Sequence, residues 1–223
     1  MSLFCYIEPW LIRFLLGACV FNFFYAVVYH SMCRRCFESF EKIGVQALLA
    51  SIFGGLTACL SAFCFGDSAQ AILAFAFCGV LLCTALIDIE TLEIPDRIHV
   101  IILVLAVLST VHSAEAAITN RLLGAVIVSV PMLLIALWVP GGFGGGDIKL
   151  MAASGLLLGT KEIVVAAFVS ILTGGIYSAY LLITKQAQRK TQFAFGPFLC
   201  TGLAFAAFWG HAFADWYLSL LTF

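Results

Sequence analysis

Two aspartates stand where apolar stretches of the sequence break, and their chemistry suits a shared acid–base role. Asp88 follows an uncharged apolar run from Ala69 to Ile87, and Asp147 ends the glycine-rich stretch 141–147. Two carboxyl groups that converge on one water molecule do not both ionise readily. One then keeps a proton and acts as general acid, while the other takes a proton from the water that attacks an amide. The two aspartates therefore predict aspartic-protease chemistry.

The three glycines at 144–146 indicate how the chain could present Asp147 at membrane depth. Glycine adopts backbone conformations closed to other residues, and irregular backbone in a membrane must be enclosed by protein or line a wet cavity. We expect a sharp turn there and a helix directly after it. Asp147 would lie in the first turn, where free amide groups and the helix dipole stabilise a carboxylate. Taken alone, Asp147 is equally compatible with an ordinary N-cap in a solvated loop.

The composition makes this chain an integral membrane protein. Its 223 residues are 63% hydrophobic and 10% charged, with a mean hydropathy of +1.11, whereas soluble domains are about 45–50% apolar. The net charge of -1 and the lack of a basic cluster alternating with aromatics exclude a nucleic-acid partner. The nine cysteines lie mostly in apolar runs, which indicates small buried hydrophobes and not a disulfide framework.

The hydropathy pattern predicts an all-α polytopic bundle of about eight membrane segments, forming a single domain over residues 1–223. A spanning helix needs about 20 apolar residues, so two of the segments, 98–113 and 147–159, are short. The first segment is predicted to be a retained helix and not a signal peptide. The predicted segments are 10–30, 43–65, 69–88, 98–113, 121–140, 147–159, 162–184 and 195–221.

Basic residues are unevenly distributed between the loops on the two sides of this bundle. The odd-numbered loops hold eight and the opposite side three, which by the positive-inside rule makes the odd-numbered loops cytoplasmic. Both termini would then be periplasmic in a Gram-negative inner membrane, with the two aspartates near the cytoplasmic face. The eight are Arg34, Arg35, Lys42, Arg97, Lys149, Lys185, Arg189 and Lys190; the three are Arg13, Arg121 and Lys161.

Four sequence elements occur in a recognisable order: Asp88, then Ile94-Pro95-Asp96, then Gly144-Gly145-Gly146-Asp147, then Phe195-Gly196-Pro197-Phe198. Over roughly residues 70–205 this arrangement resembles the bacterial type IV prepilin peptidases. The resemblance implies that Asp88 and Asp147 are catalytic. The residues to which it gives a supporting or cleft-forming role are Gly144, Gly146, Pro95, Asp96, Gly196 and Pro197.

The resemblance also implies a substrate, a type IV prepilin or pseudopilin whose basic leader precedes a hydrophobic helix in the lipid bilayer. Neither a cofactor nor a metal is expected. In the full-length family the first cytoplasmic loop is long and linked with N-methylation, whereas here it spans only about residues 31–42. Methyltransferase activity is therefore doubtful. Cys33 and Cys36 in this loop have the spacing of half a zinc site, but two reduced thiols is the favoured interpretation.

Other classes of membrane protein also use intramembrane carboxylates. A transporter or channel would bind ions with them, but transporters usually contain an internal repeat, and no second glycine-rich segment ending in aspartate is found. A presenilin-like protease fits less well because Leu86 and Ile87, not a tyrosine, precede Asp88. An archaeal-type preflagellin peptidase stays open as an alternative.

Three further expectations concern residues around the two aspartates. Lys149 is expected to anchor at the membrane interface and not to pair with a carboxylate, and His99 to be a packed or interfacial histidine. The glycines of the motif are expected to serve either a positive φ or a close backbone approach. By the resemblance, Gly145 fills a position that demands no particular residue.

Overall fold

The computed structural model describes residues 3–32, 40–112, 118–139, 142–184 and 194–221, and the regular elements within these ranges are all helices. The all-α prediction is therefore confirmed. In chain order the helices are α1 (Leu3–Met32), α2 (Phe40–Phe65), α3 (Ala69–Thr91), α4 (Asp96–His112), α5 (Ile118–Ile127), α6 (Ser129–Trp138), α7 (Gly145–Leu158), α8 (Thr160–Ile183) and α9 (Gly196–Leu221).

Six helical stretches are long and apolar enough to cross a bilayer: α1, α2, α3, α5 together with α6, α8 and α9. The two segments predicted to be short are α4, with 17 residues, and α7, with 14. Large apolar side chains such as Leu15, Val107 and Ile171 are exposed on the helices. Water would not tolerate so much apolar surface, whereas lipid does. These observations confirm a polytopic membrane bundle.

The chain divides into two compact units, Met1–Cys83 and Thr84–Phe223. In the first unit α1 packs along α2, where Gly17 and Gly54 allow the two backbones to approach closely. The ring of Phe21 in α1 lies 4.8 Å from that of Phe75 in α3. The predicted single domain is not tested by this division and stays a prediction.

The second unit contains both aspartates, because it begins at Thr84 in the last part of α3 and includes α4 to α9. Helix α7 lies at its centre and packs against α4, α5, α6, α8 and α9. Its side chains Leu150, Met151 and Ser154 are fully enclosed. Gly124 of α5 and Gly155 of α7 meet backbone to backbone. This short helix is therefore held on several sides, with Asp147 in its first turn.

Candidate active site

Asp88 lies in the last turn of α3, and its side chain is buried at 5% exposure. Its Oδ2 accepts a hydrogen bond from the backbone N–H of Gly196, 2.8 Å away at the start of α9. Just beyond it, Leu92 has a positive φ of 55° and donates its N–H to the Asp88 carbonyl. This left-handed cap ends the helix and sends the chain into the loop before α4. The carboxylate thus joins two helices that are far apart in sequence.

Asp147 occupies the third position of α7, which is not one of the candidate membrane spans, and it is buried at 9% exposure. Its Oδ2 accepts the N–H of Gly144 at 3.3 Å. Burial, and after it the charge of Asp88, raise the pKa of Asp147 to about 6, while the Gly144 N–H acts in the opposite direction. The structure therefore brings the two predicted aspartates within electrostatic reach of each other, and such a pair titrates as a unit that can share a proton near neutral pH.

The backbone conformations of the glycines show whether they are needed for a positive φ or for a close approach to a neighbour. Gly144 is extended, with φ -71° and ψ 144°, and no positive φ occurs from residue 142 to residue 146. The positive-φ explanation is therefore wrong here, and close approach is the reason. A Cβ on Gly146 would lie 3.0 Å from Ile94 Cβ, and one on Gly144 would lie 3.2 Å from Asp147 Oδ2, whereas one on Gly145 would meet nothing within 4 Å.

This difference predicts how single alanine variants of the motif behave. Gly144→Ala and Gly146→Ala are expected to lower leader cleavage about tenfold or more, because each displaces Asp147 or its support by a few tenths of an ångström. Gly145→Ala should retain near-normal cleavage, since alanine there favours the helix by up to about 1 kcal/mol. Cleavage rates at matched membrane abundance measure the contrast. Equal, near-normal activity in all three variants would mean that this stretch only links helices.

The Ile94-Pro95-Asp96 element forms the junction between the loop after Asp88 and α4. Pro95 precedes the helix and its carbonyl accepts the N–H of Ile98, while Asp96 is the first helical residue. Asp96 is exposed and accepts a 2.7 Å hydrogen bond from Lys149 Nζ, which together with the lysine charge lowers the pKa of Asp96. The expectation that Lys149 does not pair with a carboxylate is therefore wrong. Its side chain leaves α7 on the side that faces α4.

His99 is a residue of this site whose role the sequence did not reveal. It is buried at 6% exposure, as expected for a packed histidine, but its Nε2 lies 3.0 Å from the carbonyl oxygen of Gly146. Its Nδ1 faces Asp96 Oδ1 at 3.6 Å. The only signal in the sequence was its position three residues after Asp96, on the same face of α4. That spacing indicates a contact with Asp96 but not one with Gly146.

Aromatic residues stand next in sequence to the two glycines whose N–H groups bind the carboxylates. The Phe195 ring packs edge to face with Phe143 of the glycine-rich turn at 5.8 Å, and Tyr177 of α8 lies 5.2 Å from Phe198. Pro197 is the second residue of α9, a position that needs no backbone donor. The predicted Phe195–Phe198 element thus provides the N–H that Asp88 accepts from Gly196, while its role as a wall of a substrate cleft stays a prediction.

Cys33 and Cys36 lie outside the described residues, so the structure does not bear on the half zinc site. Within the described ranges, no three histidine, cysteine or acidic side chains lie close enough together to hold a metal ion. The two buried aspartates with their glycine donors are therefore the candidate chemical centre.

The region that contains both aspartates is similar to known proteins. Residues 75–179 match the type IV leader peptidase family. A Bacillus subtilis protein named prepilin leader peptidase/N-methyltransferase is 32% identical over 168 residues, which cover 74% of this chain and 68% of that protein. Proteins of the same name from Legionella pneumophila and Burkholderia pseudomallei are 24% and 27% identical. These matches cover 82% and 83% of this chain, and 66% and 62% of the relatives.

The chain thus spans about two thirds of the length of these relatives. No solved structure matches it. The matched range contains both aspartates and the Gly144–Gly146 turn, and it ends before α9.

Proposed function

The chain belongs to the type IV leader peptidase family, and we propose that it is an aspartic endopeptidase that removes the basic leader from type IV prepilins or pseudopilins. The main support for this proposal is the arrangement of the two aspartates. Asp88 and Asp147, on separate helices, are both buried, each accepts a glycine N–H, and the charge of one raises the pKa of the other. No feature of the described residues favours the transporter alternative over this one.

The proposed reaction uses the two carboxyl groups in complementary states. The ionised carboxylate takes a proton from water as the water oxygen bonds to the scissile carbonyl carbon. The protonated partner then donates to the departing nitrogen as the C–N bond breaks, and the proton inventory of the pair is restored. The two glycine N–H groups hold the carboxylates by Oδ2, and each carboxylate has a second oxygen that can contact the water.

We propose the cytoplasmic face of the cytoplasmic membrane as the place of cleavage. The excess of lysine and arginine in the odd-numbered loops supports this orientation. Asp88 and Asp147 then lie where a leader leaves the bilayer. Glu90 in the last turn of α3 and Glu93 in the loop before α4 carry negative charge that favours a basic leader. The hydrophobic helix of the substrate would stay in the lipid.

We do not extend the proposal to N-methylation, although the relatives carry that word in their names. Only seven residues, 33–39, separate α1 from α2. This leaves little chain for the long loop associated with that activity.

Cleavage of a defined substrate tests the proposal. The full chain, reconstituted in liposomes, is expected to cut a type IV prepilin between its basic leader and its hydrophobic helix, and to do so in the presence of a chelator. Mass spectrometry of the product should show an unmodified N-terminal amine even when a methyl donor is supplied. A prepilin that stays intact beside the wild-type chain contradicts the proposal, and a methylated product contradicts the exclusion of methylation.

The orientation is tested separately by labelling single cysteines in a cysteine-free background. A membrane-impermeant maleimide added outside spheroplasts is expected to label positions 67 and 161 and to leave position 185 unlabelled. Permeabilised cells, in which position 185 should react, provide the control. External labelling of position 185 would mean that α7 does not cross to the other side.

A further inference from the structure

The peptide that joins Gly146 to Asp147 is held from one side by a single stretch of chain. Ile94 lies against the Cα of Gly146, so closely that an added Cβ would be 3.0 Å from the isoleucine Cβ. His99 contacts the carbonyl oxygen of the same glycine at 3.0 Å. The nitrogen of this peptide belongs to Asp147, so a rotation of the peptide would reorient the bond that carries the catalytic carboxyl group.

The stretch that holds this peptide continues directly from the other aspartate. Asp88 lies in the last turn of α3, Ile94 in the loop that follows this helix, and His99 in the first turns of α4. The stretch 88–99 therefore begins with the Asp88 carboxylate. Through Ile94 and His99 it also holds the backbone that precedes Asp147. Such a link sets the separation of the two carboxyl groups, on which sharing a proton depends.

The hydrogen bond to Gly146 defines the state of the imidazole. A carbonyl oxygen only accepts, so Nε2 must carry the hydrogen, and in the neutral ring Nδ1 is then an unprotonated acceptor. Nδ1 is buried, faces the Asp96 carboxylate at 3.6 Å and has no hydrogen-bond partner within the described part of the chain. Burial is the main cause that lowers the pKa of His99, and the Lys149 ammonium acts in the same direction, whereas the bond to Gly146 and the charge of Asp96 raise it. In the neutral and in the protonated ring alike, Nε2–H donates to the carbonyl oxygen of Gly146.

We propose that His99 is a positioning residue of the peptidase, which fixes the Gly146–Asp147 peptide and through it the Asp147 carboxyl group opposite Asp88. This inference rests on the proposed function. His99 itself does not contact the reacting atoms. Its contribution is the hydrogen bond from Nε2, supported by the packing of Ile94 on the same glycine.

A matched pair of variants isolates this hydrogen bond. Glutamine can place an amide N–H where Nε2 lies, whereas methionine has a similar length and volume but no donor. In liposomes, His99→Gln is expected to keep kcat within roughly threefold of wild type. His99→Met is expected to lower kcat roughly 10- to 100-fold with KM unchanged. Only the methionine variant should also shift the upper limb of the pH–rate profile, since burial and the charge of Asp88, which raise the pKa of Asp147, both depend on where its carboxyl group is held.

Hydrogen exchange provides a measurement that does not depend on activity. The amides of residues 147–150 should exchange faster in His99→Met than in His99→Gln or wild type. If the methionine variant does not accumulate, His99→Asn replaces it, because its amide is one methylene too short to reach Gly146. The inference would be overturned if His99→Gln and the variant without a donor to Gly146 had equal kcat values and equal exchange rates. If wild type cleaves nothing, the proposed function fails, and the exchange comparison still decides whether His99 holds this peptide.

Discussion

Asp88→Asn and Asp147→Asn are each expected to lower leader cleavage by roughly 10²–10⁴-fold, the usual contribution of a general acid or base. Asparagine keeps the shape of aspartate, and its amide oxygen can still accept the N–H of Gly196 or Gly144. The variants should therefore insert into the membrane and accumulate normally. What each loses is the ability to take up or release a proton, and because the pair acts as a unit, one loss is sufficient.

Cleavage of a prepilin at matched membrane abundance measures the effect, with Asp215→Asn as the control. Asp215 belongs to the same unit of the chain but is exposed and paired with Lys161. Surface ion pairs of this kind contribute little to stability, so the substitution should leave cleavage near normal. Substantial cleavage by either active-site variant would remove that aspartate from the mechanism. The double variant should be hardly less active than the single ones.

Gly196→Ala is expected to reduce cleavage on the order of 10²-fold or more, although alanine normally favours a helix. The new Cβ would lie 2.6 Å from Asp88 Oδ2 and 2.8 Å from its Cγ. Neither atom can stay where it is at those separations, so the carboxyl group must move away from the Gly196 N–H. A displacement of about 1 Å at a reacting group is enough for an effect of this size.

The control for this variant is Gly175→Ala in α8, where an added Cβ would meet nothing within 4 Å. Both substitutions replace one helical glycine, at the start of α9 and inside α8, and what surrounds the added methyl group differs sharply between them. Gly175→Ala should retain full cleavage. Normal cleavage by Gly196→Ala, at an abundance equal to that of the control, would show that Asp88 does not need its bond to Gly196.

Much of the architecture was accessible from the sequence because it depends on local properties. Runs of about 20 apolar residues form helices in lipid regardless of their neighbours, since no other conformation of a single segment satisfies its backbone there. The two shorter predicted segments, 98–113 and 147–159, also correspond closely to α4 and α7. The break before Asp147 was visible for a similar reason, because three consecutive glycines are a strong local signal.

The reason for those glycines was not accessible in the same way. A glycine needed for positive φ and a glycine needed for close packing look alike in a sequence. The backbone angles of the turn and the position of Ile94 beside Gly146 distinguish them. Lys149 illustrates the same limit. Its separation from Asp147 indicated that the two side chains lie on different faces of the helix. The sequence could not show that Asp96 of α4 lies next to the face that carries Lys149.

The membrane class and the approximate helices follow from the sequence, and the two aspartates stand out in it, because hydropathy, glycine runs and isolated charges are properties of short windows. Which groups meet depends on the packing of the helices. The bond from Gly196 to Asp88 joins residues 108 positions apart, that from Lys149 to Asp96 spans 53, and that between His99 and Gly146 spans 47. Such contacts depend on how whole helices pack against one another, and helix packing is set by side chains that are distributed along the chain. No short window of sequence contains both partners.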